Sequence, residues 1–371
     1  MHEQLVMYFL LKHSWFLLYY ILRHLGICPC QRNGDNGLES VPACHYWGRI
    51  IFTNILLYVL NGLFFYLLSF HSSVKQILKV WLEIFEDSRT TIVALNVNTA
   101  IYYSLYFIFI FYLKNISRVL VHFEDYCKGK ANFTQTTQQK RHGLIVYIYV
   151  LPYIFLNMAG TFLLDFVAIY YIKQKLDLSN ILTISFLLVH QLNYWIMSAP
   201  TIYFVFVYFE LTHLNIVWCS ELMMLNSEPD IDLVEEIQIF TEGLYRVAKY
   251  FSDFLFWIIP MFLVQIILIG YLIVTSMIDE DDNVNSWTNH GILCGFTLLF
   301  LSFIHLLFWM CHLSQRLSNQ VHKLQNLISS GIQIESTDTE TICSQLEKFG
   351  GFDAKGYFTL NHSLVTGMTV R

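Results

Sequence analysis

The sequence predicts an all-α, polytopic membrane helix bundle with six full transmembrane helices, the start of a seventh, and a cytoplasmic N-terminus. Three observations carry this. Of 371 residues, 55% are hydrophobic and only 13% are charged, about half the charged share of an ordinary globular chain. Six stretches (50–70, 90–113, 143–172, 181–209, 254–278 and 291–311) contain no Lys or Arg, and each reaches the roughly 20 helical residues that cross a bilayer. Their apolar runs are continuous rather than alternating, so helices are expected and barrel strands are not. Finally, 16 of the 22 Lys and Arg lie in the N-terminal region and the second, fourth and sixth connections. The other 6 lie in the first, third and fifth connections and at Arg371. Basic residues gather on the cytoplasmic side, which puts the N-terminus inside.

The elements follow in order. Residues 1–49 form a cytoplasmic N-terminal region. Its apolar stretch 5–22 is interrupted by Lys12 and His13; a helix lying in the membrane interface is expected there, not a full span or a cleaved signal peptide. Residues 50–311 hold the six-helix bundle, with a cytoplasmic helical connection over 211–250. Residues 312–355 form a cytoplasmic helical extension, and 356–371 begin the last transmembrane helix. The fifth connection opens with Asp279-Glu280-Asp281-Asp282 and belongs outside.

The inner connections carry apolar residues at helical spacing. One stripe is Leu313, Leu317, Val321, Leu324 and Ile328; a second is Leu211, Leu214, Trp218 and Leu222; a third is Val234, Ile237, Leu244, Val247 and Phe251. Pro229-Asp230 marks the corner between the last two. Such stripes need cover, from within the chain or from another subunit. Six of the cysteines fall on the reducing side and Cys294 and Cys311 in the sixth span, so no disulfide framework is expected. The group Cys28, Cys30, Cys44 and His45 matches no zinc spacing, and no metal or other cofactor is expected. The sequons at Asn115 and Asn132 lie in a cytoplasmic loop and should stay unmodified.

Polar side chains at bilayer depth are costly and face a bundle interior or a watery cavity. With the N-terminus inside, the outer halves of the spans hold Asn61, Asn96, Asn98, Asp165, His190, Gln191 and Asn193, with Gln265 near mid-depth. Asn157 and His305 lie near the middle. Together with Tyr102, Tyr103, Trp195 and Tyr271, the outer set could line a small-molecule pocket reached from outside. Interhelical hydrogen bonding is the plainer role for any single Asn or Gln. Asp165 differs, because an acid at this depth needs a cation, a proton or water; His190 on the next span is its expected partner. Pro152, Pro200 and Pro260 fall within spans and could bend them. No nucleophile elbow, phosphate loop or zinc-protease motif occurs, so an enzyme is not expected. The net charge of −6 comes without a strong basic block, which argues against a nucleic-acid partner.

The run Gly350-Gly351-Phe352-Asp353-Ala354-Lys355-Gly356-Tyr357-Phe358-Thr359-Leu360-Asn361-His362-Ser363-Leu364 resembles the stretch leading into the last helix of insect gustatory receptors. That stretch commonly shows Gly, an aromatic, Phe, a small polar residue and Leu, then Ser-Leu two residues on. Gly356, Tyr357, Phe358, Thr359, Leu360, Ser363 and Leu364 follow it in order. Residues 247–256 also resemble the family's approach to its fifth helix. The resemblance implies a gustatory receptor in the plasma membrane of chemosensory neurons. It would be a ligand-gated, non-selective cation channel, a homo- or hetero-tetramer with other gustatory receptor subunits that senses a small-molecule tastant or pheromone. In the family the last helix continues into a Thr-Tyr pair and closes with Gln-Phe. The sequence ends at Val370-Arg371, ahead of both, so the resemblance assigns no pore residue. A helix ending at bilayer depth would leave carbonyls unsatisfied. The natural chain is therefore expected to continue, and the chain as written to carry no current alone.

Two other readings compete. A G-protein-coupled receptor would place its N-terminus outside, against the charge count. A small-solute transporter would show two related halves with interrupted helices, and no such symmetry is visible.

Overall fold

The computed structural model describes residues 30–32, 38–40, 43–71, scattered positions between 93 and 108, 146–176, 180–225, 233–278, 286–331, and 337–364 apart from residue 362. Two short strands, β1 (Cys30–Arg32) and β2 (Leu38–Ser40), pair antiparallel with Cys30 opposite Ser40. This ribbon departs from an all-α chain, and three-residue strands leave no periodicity to read. The stretch 5–22, Asn96, Asn98, Tyr102, the two sequons and the 229–230 corner lie outside the described residues.

The helices are α1 (Ala43–His71), α2 (Leu151–Leu176), α3 (Asn180–Leu225), α4 (Leu233–Ile278), α5 (Ser286–Gly331) and α6 (Thr337–Lys348). Every described position between 93 and 108 is also helical. Four helices among the described residues are long and apolar enough to cross a membrane, over Ile148–Lys175, Leu187–Met224, Val234–Met277 and Trp287–Ser329. The shorter apolar stretch Gly48–Leu60 lies in α1. Each of α3, α4 and α5 has 46 residues, about 69 Å of helix at 1.5 Å per residue. That is over twice a hydrocarbon layer of about 30 Å, so roughly half of each helix must lie beyond it.

α3 is the central element. Every residue from 196 to 212 is buried, which requires cover on all sides of the helix. α1, α2, α4 and α5 all pack on it. Beyond the membrane-depth part, the three amphipathic stripes face one another: Leu313, Leu317, Val321, Leu324 and Ile328 of α5 are at most 4% exposed. They share one core with Leu211, Leu214, Trp218 and Leu222 of α3 and Ile237, Leu244, Val247 and Phe251 of α4. Trp218 meets Phe240 edge-on at 5.1 Å. The stripes are therefore covered within one chain, and these side chains are not available to hold subunits together.

Small residues set the contact between α2 and α5. A Cβ on Gly160 would lie 2.9 Å from the Gly295 carbonyl oxygen, and one on Gly295 would lie 2.6 Å from Leu164 Cγ. Gly291, one turn earlier, would meet Val167 Cγ2 at 2.6 Å. The two backbones approach this closely only because the side chains are missing. Pro200 and Pro260 sit inside continuous helices. Pro152 instead follows a wide π-helical turn, Val146–Val150: its ring displaces the carbonyl one turn back, and the widened turn absorbs the strain.

Candidate functional site

The antiparallel pair α2 and α3 brings together four of the residues singled out from the sequence. His190 Nδ1 and Gln191 Nε2 both lie 2.6 Å from Asp165 Oδ2. Trp195 Nε1 donates to Gln191 Oε1 at 3.1 Å, one helical turn away. Asp165 thus holds two donors on one oxygen, while Oδ1 has no hydrogen-bond partner among the described residues. The side chains of Asp165 and His190 are 18% and 47% accessible, so the pair borders open space and is not sealed in the core. A carboxylate oriented through one oxygen, with the other open, can accept a hydrogen bond from an arriving hydroxyl or ammonium group.

A second cluster lies nearer the core. Tyr194 donates to Asn157 Oδ1 at 2.6 Å, and Asn157 Nδ2 donates to Ser302 Oγ at 3.3 Å. Asn157 is 4% exposed and Ser302 is fully buried, so this link among α2, α3 and α5 satisfies polar groups that would otherwise be costly. Tyr194 and Ser302 were not among the expected site residues. A Tyr in an apolar span and a Ser among Leu and Phe give no pattern in one dimension.

The other candidates are placed differently. Asn61 lies within α1, its side chain outside the described residues. Asn193, on the same helix as His190, is partly buried. Tyr103 is 40% exposed. Gln265 on α4 is fully buried, and neither its amide oxygen nor its nitrogen has a partner among the described residues. Tyr271 is 39% exposed and, six positions on, points to a different side of α4 from Gln265. No hydrogen bond joins Gln265 to the Asp165 group among the described residues.

The stretch 349–361 is a compact turn structure, and described helical geometry resumes only at Ser363 and Leu364. The expected helix start at Gly356 is thereby corrected. Asp353 and Thr359 bridge antiparallel, and Leu360 N donates to the Phe352 carbonyl at 2.8 Å. Lys355 and Gly356 take positive φ of 53° and 75°, the pair of values that closes a tight hairpin. Lys355 adopts this conformation with local support. Its N–H donates to Ser252 Oγ at 2.8 Å, and its ammonium lies 3.1 Å from Asp253 Oδ1 and over the Phe256 ring. Phe352 is fully buried against Tyr208 and Phe251, and its N–H donates to Ser314 Oγ at 2.9 Å. The two motif-like stretches, 247–256 and 350–364, are therefore in direct contact, and the hairpin joins α3, α4 and α5 just ahead of the last segment.

Gly351 is the tightest point. Its φ is +112°, and a Cβ would lie 2.9 Å from Ser314 Oγ. Gly351→Ala is expected to cost about 1–3 kcal/mol through backbone strain. The hairpin should loosen, read as faster proteolysis near residue 355 in the full-length chain. Gly350→Ala, with open space around the added carbon, should show no change.

The arrangement is similar to that of the insect olfactory receptor OR5 from Machilis hrabei. Against its structure in complex with eugenol the TM-score is 0.64 at 11% identity, covering 98% of this chain and 96% of that chain. Against the same receptor without that ligand the TM-score is 0.63, again at 11% identity and with the same coverage. The chain has the insect olfactory receptor fold. No family model matches the sequence, and no curated protein matches it.

Proposed function

We propose that this chain is a multi-pass chemosensory receptor of the insect type, a subunit of a ligand-gated cation channel in the plasma membrane. The observation that carries the reading is the likeness in fold, along 98% of the chain, to an olfactory receptor whose structure holds eugenol. The run 350–364 supports the narrower assignment to taste or contact chemosensation over smell. A small molecule entering between α2 and α3 would meet Asp165, His190, Gln191, Asn193 and Trp195. Asn61, Asn96, Asn98, Tyr102, Gln265 and Tyr271 are proposed to complete or support the pocket. The N-terminus would be cytoplasmic, and four subunits would surround a pore. A ligand opens such a channel only by binding the open state more tightly than the closed one.

The test is electrical. The chain is expressed alone and with other gustatory subunits, and whole-cell current is recorded while G-protein signalling is blocked. Ligand-evoked cation current that persists under the block supports the channel. A response abolished by the block would overturn it in favour of a G-protein-coupled receptor, and substrate uptake without current would favour a transporter.

A further inference from the structure

The end of α5 opposite Trp287 carries a cluster that the ligand pocket does not use. Trp287 packs edge-on against Phe166 and Tyr170 at 6.3 and 5.7 Å, an exposed aromatic group of the kind that sits at a membrane–water boundary. Trp309 lies 22 positions further along the same helix, about 33 Å away, close to one hydrocarbon thickness. The exposed face changes character at that point. Leu301, Ile304 and Phe308 are exposed before it, and Arg316 and Lys323 are exposed after it. Trp309 therefore marks the second boundary.

There the aromatic rings are organised. Tyr149, on the wide turn before Pro152, lies 4.9 Å from Trp309 and 5.1 Å from Phe209. Trp309 meets His312 at 5.4 Å, and Phe308 stacks on the His312 ring at 6.1 Å with 12° between planes. Phe308, His312 and Arg316 follow at four-residue intervals, so they share one face. Arg316 is exposed and makes no ion pair among the described residues. α5 contains no Asp or Glu along its 46 residues, and Lys140-Arg141-His142 closely precede Val146 in sequence. Glu210, the nearest acid along α3, is 2% exposed and turned into the core.

We infer that this face binds the head group of an anionic phospholipid. The Arg316 guanidinium is the phosphate ligand, His312 lines the seat, and Phe308 and Trp309 lie at the level where acyl chains begin. An exposed guanidinium that makes no ion pair among the described residues, beside stacked rings at the hydrocarbon boundary, suits a lipid phosphate because its planar fork donates to two oxygens at once. Juxtamembrane basic residues are drawn to anionic head groups. The inference rests on the chain being embedded in a bilayer, not on the identity of any small-molecule ligand.

The test uses the full chain in nanodiscs of phosphatidylcholine, with and without phosphatidylserine or phosphatidylinositol bisphosphate. Retained lipid is counted by native mass spectrometry, and thermal stability is followed alongside. The wild type should retain anionic lipid and melt higher with it. Arg316→Gln should retain about tenfold less, the loss of one charged hydrogen-bonding group, while Lys348→Gln on α6 should match the wild type. Equal retention by wild type and Arg316→Gln would overturn the proposal. So would equal retention of phosphatidylcholine, which would leave only an aromatic belt. Stabilisation by inorganic phosphate alone, as large as that by lipid, would overturn it too and indicate a soluble anion site. None of these outcomes depends on current, so a failed channel reading stays distinguishable.

Discussion

Gly295→Leu is expected to separate α2 from α5 and leave little folded protein. At this position a Cβ alone would lie 2.6 Å from Leu164 Cγ, 2.8 Å from Leu164 Cδ2 and 3.2 Å from the Gly160 carbonyl oxygen. Replacing a helical Gly by Ala gains about 1 kcal/mol of helix propensity, but overpacking costs about 1–3 kcal/mol. The balance should already be unfavourable for Ala. A Leu adds three more carbons where Gly160, Gly291 and Gly295 have cleared the way, so the full cost of about 3 kcal/mol or more is expected. Loss of the monodisperse peak in detergent at a temperature the wild type survives is the measurement. Gly62→Ala supplies the contrast, because an added Cβ there meets nothing within 4 Å and the propensity gain stands alone. A Gly295→Leu protein as stable as the wild type would show that the two helices do not meet this way.

If the chain is the ligand-gated channel subunit proposed above, Asp165→Asn should shift its dose-response curve about 10–100-fold to higher ligand concentration, with surface delivery unchanged. The substitution keeps shape and removes charge. Two donors converge on Oδ2 at 2.6 Å, and an amide in that place accepts them more weakly. Its other terminus also changes from an open acceptor to either a donor or a neutral carbonyl. Hydrogen bonds to a charged group contribute about 1.5–3 kcal/mol, and each 1.4 kcal/mol is tenfold in affinity. Ser302→Ala breaks only the Asn157 link among the three helices and should leave the curve nearly unmoved. Surface expression measured on intact cells separates a binding effect from a folding one, and an unchanged Asp165→Asn curve would remove this carboxylate from the pocket.

Much of the candidate site was legible before any contact was known. Asp165 stood out as an acid in an otherwise uncharged span, and His190 was named as its partner because the two lie at similar depth on consecutive helices. The structure joins them and adds Gln191 on the same oxygen. The Gly291-Ile-Leu-Cys-Gly295 spacing was present in the sequence as the small-residue pattern of close helix contacts, yet which helix it receives is decided by Gly160, over a hundred residues away. The amphipathic stripes were legible as stripes only. Leu317 at period four needs cover, but nothing in the period says whether another subunit provides it.

What the amino-acid order alone determines here is everything that depends on a residue and its near neighbours. That includes which stretches are apolar enough to cross lipid, which connections carry positive charge, and which face of α5 must be hidden. These follow because helix period, hydropathy and the cost of charge in hydrocarbon act locally along the chain. The tertiary structure alone decides who meets whom. It folds residues 350–360 into a hairpin against Ser252, Asp253 and Ser314, covers the Leu317 stripe from within, and brings Tyr194 and Ser302 to Asn157. The physical reason is that burial is non-directional. An apolar face specifies that it must be covered, and only close packing with particular shapes and hydrogen-bond partners specifies by what.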